Sequence, residues 1–184
     1  MRRLMIIISM SISILTNMTE DREQLSVPDN EPVYEDSVSE TTENIEDEHR
    51  DDIITSSGIV LSQDDYNQLL HIVEAEAGNQ DDVGKILVAN VIFNRVFSDD
   101  FPDNVTDVIY EYSNGVYQFE PVLNGRIYSV DVTDSTVECV NRAIGGEDYS
   151  GGALYFTMKT PEDSWFNTSL SLLFVHGDHY FYTC

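Results

Sequence analysis

The chain has 184 residues, and its 34 acidic side chains against 9 Lys and Arg give a net charge of −25 at pH 7. The length allows one ordinary domain of roughly 100–200 residues. The charge excludes nucleic acid as a partner, because a phosphate backbone is bound by neutralising it with Lys and Arg.

Arg2 and Arg3 precede the apolar run Leu4 to Leu15. That run is long enough for a signal-peptide core and shorter than the roughly 20 residues that span a bilayer. Residues 1–17 are therefore expected to export the chain, as a cleaved signal or as an N-terminal anchor; Ile14-Leu15-Thr16-Asn17 has no clear small-x-small cleavage pattern. Residues 18–57 are dense in Asp and Glu and read as a disordered acidic linker, since they cannot bury enough apolar surface to offset their ordering entropy. The folded domain is expected over residues 58–184.

Ile53 to Leu61 leads into that domain, where Ser62 is placed to cap a helix with Asp64 and Asp65 in its first turn. Tyr66, Leu69, Leu70 and Val73 recur at helical spacing, and Gly78 is expected to end the helix in a left-handed cap. Asp81 and Asp82 open a second helix, apolar nearly all round from Val83 to Phe93 and closed by Asn94 and Arg95, so it reads as the buried central helix. Phe101-Pro102 breaks the chain. Val105, Val108 and Ile109 predict one short helix before a turn at Ser113-Asn114-Gly115. Thr133 starts a third long helix that Gly145-Gly146 ends. Ala153 to Phe156, Leu170 to Val175 and Tyr180 to Tyr182 read as strands, the last two flanking a turn at Gly177-Asp178. Helices first and strands later predict an α+β class.

One residue breaks the pattern it sits in. The apolar stripe Leu69, Ile72, Val73 continues to Glu76, which puts a carboxyl on the core side of the last turn, whereas Glu74 points elsewhere. Apolar surroundings and the negative end of the helix both oppose ionisation, so such a group can stay protonated near neutrality and act as a general acid. The alternative from the residues alone is a Glu that reaches water or pairs with Arg95 or Arg126.

Ile72-Val73-Glu74-Ala75-Glu76-Ala77-Gly78, Gly84-Lys85 and Val88-Ala89-Asn90-Val91-Ile92-Phe93-Asn94-Arg95-Val96 resemble the SleB-type cell-wall hydrolases, which include the spore-cortex-lytic enzymes. The resemblance continues through Phe101-Pro102, Val108-Ile109-Tyr110, Gln118-Phe119, Asn124-Gly125-Arg126-Ile127, Gly151 to Phe156, Trp165 and Gly177-Asp178-His179. It implies a lysozyme-like α+β domain that cuts peptidoglycan glycan strands between N-acetylmuramic acid and N-acetylglucosamine as a lytic transglycosylase, in vegetative wall or spore cortex. It implies Glu76 as the catalytic acid and base, and Gln118, Phe119, Tyr155, Trp165 and His179 as substrate-binding residues. No cofactor is implied. The partner is the glycan strand, met by a monomer, with an accessory wall protein left open.

The chain departs from the family pattern at Asn79-Gln80, where Gly-Glu is usual, at Asn167, where a second Trp is usual, and at Thr157-Met158-Lys159, where Asn-Pro is common. These positions bear on substrate grip. A silent peptidoglycan-binding module and a muramidase using a second carboxylate from Glu111, Glu120 or Asp107 therefore stay open. His176 and His179 lack a third ligand, so no metal site is expected. Cys139 and Cys184 could pair after export or stay free.

Overall fold

The computed structural model describes residues 52–113 and 115–184. The predicted export segment and most of the acidic linker lie outside the described residues. No helix among the described residues is long and apolar enough to cross a membrane.

Two short strands, β1 (Ile53–Ile54) and β2 (Val60–Leu61), pair antiparallel and lead into α1 (Gln63–Ala77). Ser62 caps α1 with a full capping box: its Oγ accepts the Asp65 N–H at 3.1 Å, and Asp65 accepts the Ser62 N–H at 3.1 Å. The same carboxylate accepts the Thr106 N–H at 3.0 Å, which ties this start to α3 (Val105–Ile109), the short helix the apolar spacing predicts.

Gly78 corrects one expectation. It ends α1 in the right-handed region, φ −57°. A Cβ there would meet the Glu74 side chain and lie 2.6 Å from the Glu74 carbonyl. The glycine serves close packing against the preceding turn and not a left-handed cap.

Asp81 caps α2 (Asp82–Val96), which is buried from Gly84 through Phe93. Around it pack α1, α3 and α5 (Asp134–Ile144), the last capped by Thr133. Two polar residues of α2, the buried Asn90 and the half-buried Asn94, have partners in the loop after α5. Asn90 donates to Glu147 O at 3.0 Å and accepts the Tyr149 N–H. Asn94 donates to Ser150 Oγ at 2.8 Å and Ala153 O at 2.9 Å. The central helix thus fixes the loop that feeds the sheet.

That sheet has the order β5-β7-β6, from β5 (Tyr155–Met158), β6 (Ser171–His176) and β7 (His179–Thr183), all antiparallel. The β6–β7 turn is at Gly177-Asp178 as predicted, with Gly177 at φ 54°. Phe181 and Ala153 join Leu87 and Val91 of α2, so sheet and helix share a core. The α+β reading holds.

Besides the two-residue strands, three short helical elements among the described residues were not predicted from the sequence: α4 (Glu120–Leu123), a 3₁₀ turn (Arg126–Tyr128) and α6 (Trp165–Ser169). Each has at most five residues, too few for a periodic apolar stripe to register. Between α3 and α4, β3 (Tyr112–Ser113) pairs with β4 (Val116–Tyr117). Cys139 is buried in α5 and Cys184 is exposed; both are free thiols.

Candidate active site around Glu76

Glu76 lies in the last turn of α1, one face away from its neighbour two positions back. Glu74 accepts from Thr133 N at 3.0 Å and Thr133 Oγ1 at 2.9 Å. Burial raises its proton affinity, but hydrogen bonds from Thr136 and Thr133 outweigh that and hold Glu74 below the ordinary carboxyl value. Glu76 makes no side-chain hydrogen bond or ion pair with a described residue. Its side chain is only partly open to solvent.

Desolvation by burial therefore dominates and pushes the Glu76 carboxyl up to about 7. Arg126 and Arg95 pull the other way, and Glu120 adds to the rise. The result is a carboxyl that is about half protonated at neutral pH and still reachable from the surface. Such a group can give a proton and take one back without leaving its place.

Arg95 acts on Glu76 through its charge from a buried position. Its side chain is 3% exposed, and its guanidinium carbon lies 5.0 Å from the ring centroids of Phe101 and Phe119 and 5.6 Å from that of Tyr155. Nε donates to Leu154 O at 2.8 Å, while Nη1 is buried without a partner among the described residues. Burial lowers its pKa to about 10, against the charges of Tyr155, Glu111 and Glu76. It remains a cation at any pH at which Glu76 titrates. The sequence reading names Arg95 as the close of α2 and as an alternative pairing partner of Glu76, and not as the centre of a cage of rings. Its position shows in the sequence as a charged residue at the end of a largely apolar helix.

The expected sugar-facing residues divide. Gln118 is partly exposed beside β4 and donates from Nε2 to Ser113 Oγ at 2.9 Å. Trp165 is partly exposed at the start of α6, edge-on to Tyr155 at 6.0 Å. Phe119 and Tyr155 are corrected: they are 2% and 0% exposed, so neither offers a ring face to a ligand. Their rings pack on the Arg95 guanidinium instead. His179 is also buried, edge-on to Phe156 at 5.2 Å, and burial lowers its pKa, so it sits as a neutral ring in the sheet.

The departures from the family pattern have local tasks. Asn167 donates from Nδ2 to Pro161 O at 2.9 Å and accepts the Tyr182 hydroxyl at 2.9 Å, which joins the loop before α6 to β7. The Gln80 side chain lies where a Cβ on Gly177 would go, so it packs on the β6–β7 turn. Among candidate second carboxylates, Asp107 is engaged with Asn104 at the start of α3. Glu111 has a buried Oε2 without a partner among the described residues, and Glu120 is exposed and acts on Glu76 through its charge.

A family model described as cell wall hydrolase matches residues 79–182, a segment that begins three residues after Glu76. The chain is 37% identical over 105 residues to a spore cortex-lytic enzyme of Halalkalibacterium halodurans, covering 56% of this chain and 30% of that protein. It is 36% identical over 121 residues to that of Oceanobacillus iheyensis, covering 65% and 42%. The chain thus spans less than half the length of these relatives. The catalytic domain of the germination-specific lytic transglycosylase SleB from Bacillus anthracis superposes with a TM-score of 0.57 at 31% identity, over 66% of this chain and 96% of that one. The catalytic domain of the Bacillus cereus SleB protein gives the same TM-score and identity.

Proposed function

The chain belongs to the cell wall hydrolase family, and from that premise we propose that it cuts peptidoglycan glycan strands as a lytic transglycosylase with Glu76 as its single acid and base. The observation that carries the reading is the partly open, largely desolvated Glu76 carboxyl, held near neutrality beside a permanent buried cation. Protonated Glu76 gives its proton to the glycosidic oxygen as the bond from the muramoyl anomeric carbon breaks. The resulting carboxylate, stabilised by Arg95 and Arg126, takes the proton of the muramoyl 6-hydroxyl as that oxygen closes on the same carbon. The proton is returned to Glu76 and an anhydro sugar is left. An internal hydroxyl replaces water, so no second carboxylate is required.

The first segment of the chain, Arg2 to Leu15, supports export to the wall, where this substrate lies. One observation favours a second reading: Glu120 acts on Glu76 through its charge and would be the partner in a two-carboxylate muramidase. Mass spectrometry of muropeptides released from vegetative peptidoglycan and from spore cortex tests both. Anhydro-muramoyl ends from the wild type and none from Glu76→Gln support the transglycosylase. Reducing muramoyl ends that vanish in Glu120→Gln support the muramidase. Wall binding without any released product would leave a binding module.

A further inference from the structure

Tyr112 on β3 and Tyr117 on β4 stand side by side where the fold does not need them. They are opposite each other in the antiparallel register, with ring centroids 4.9 Å apart and tilted by 60°. Tyr112 is 62% exposed and Tyr117 is 36% exposed. Neither ring joins any of the apolar clusters, and neither hydroxyl has a hydrogen bond to a described residue. Two adjacent rings left in water forgo the stabilisation that burial would bring, and a paired exposed aromatic surface of this kind marks a contact site.

The pair is joined along the chain to residues that act on the site around Glu76. Gln118 follows Tyr117 directly, its N–H donating to Glu111 O at 3.2 Å and its side chain to Ser113. Phe119, next in the chain, supports Arg95, and Glu120 acts on Glu76. A third exposed ring, Tyr128, stacks on Tyr110 at 6.4 Å, on the 3₁₀ turn that carries Arg126.

Charge narrows what can lie on these rings. The domain carries more Asp and Glu than Lys and Arg, and β3 and β4 carry no Lys or Arg, so nothing on this hairpin would grip a ligand through its anionic groups and the contact must be with an uncharged face. A sugar ring presents an uncharged face of C–H groups, whose slight positive polarity matches the negative face of an aromatic ring. Such recognition needs no cation.

We infer that Tyr112 and Tyr117 form a sugar-stacking subsite that holds the glycan strand next to the bond cleaved at Glu76. The inference rests on the glycan-cleaving reading above. Binding is measured with the full chain in the Glu76→Gln background, which separates binding from cleavage. The probes are intact sacculi and glycan strands stripped of their peptides by an amidase. Tyr112→Ala with Tyr117→Ala is expected to weaken binding about tenfold or more on both probes, and Tyr112→Trp with Tyr117→Trp to restore it. Circular dichroism checks that the variants stay folded.

Unchanged affinity, or a loss seen only with intact sacculi, overturns the subsite; the second result assigns the rings to stem peptides or to a wall protein. Muropeptide release by the wild type is recorded in parallel. A chain that binds stripped strands through these tyrosines yet releases nothing would sustain the subsite and remove the catalytic reading.

Discussion

Replacing Glu76 by Gln should make the protein more stable at neutral pH while abolishing cleavage. The folded state raises the carboxyl from 4.5 to about 7, so it binds this proton more tightly than the unfolded chain does. The ionised form is therefore the one the fold penalises. The penalty is absent below pH 4.5, grows between pH 4.5 and 7 and is complete above 7. At 1.36 kcal/mol per tenfold change in proton affinity the upper figure is about 3.4 kcal/mol. Because the side chain is partly open to water, screening leaves roughly 1–3 kcal/mol. Gln has the same shape and cannot ionise. In thermal unfolding the variant is expected to exceed the wild type by roughly 3 °C or more at pH 8 and to match it at pH 4. Wild-type cleavage should fall about tenfold per pH unit above 7, as the protonated acid is lost. An equal difference in melting temperature at the two pH values, or cleavage undiminished at pH 8.5, would refute the assignment of Glu76 as a desolvated acid.

Two further outcomes follow from groups outside the carboxyl. Asp65→Ala removes the acceptor for Ser62 and Thr106 and should cost about 1–3 kcal/mol in urea unfolding at pH 7. Burial raises the Asp65 pKa, but its hydrogen bonds outweigh this and hold it below 3.8. The wild-type advantage should therefore be full above 3.8 and shrink as pH falls through the lower folded value; an advantage unchanged at pH 2 would contradict this. Arg95→Lys loses the Nε bond to Leu154 and the planar contact with three rings, and should cost about 2–3 kcal/mol, read as a lower urea midpoint at unchanged slope. A midpoint equal to the wild type would mean that charge alone, without the planar fork, is what the cage holds.

The features visible in the sequence are those decided within a few residues. Ser62, Asp81 and Thr133 each accept a backbone N–H three positions on, so the helix starts could be read directly. Gly177-Asp178 marks the tight turn for the same reason, and the 3.6-residue period puts Glu76 on the apolar side of α1. Its isolation from hydrogen-bond partners and the cation beside it could not be read in this way. Arg95 meets Tyr155 and Leu154 some sixty positions away in the chain, and only packing brings them together. Phe119 and Tyr155 look the same in the sequence as exposed aromatics. Burial under a guanidinium makes them supports, while Tyr112 and Tyr117 stay in water because two short strands hold them out of the core. Local capping and periodicity thus placed the carboxyl, and the tertiary fold decided its charge, because desolvation depends on what surrounds a group from every side.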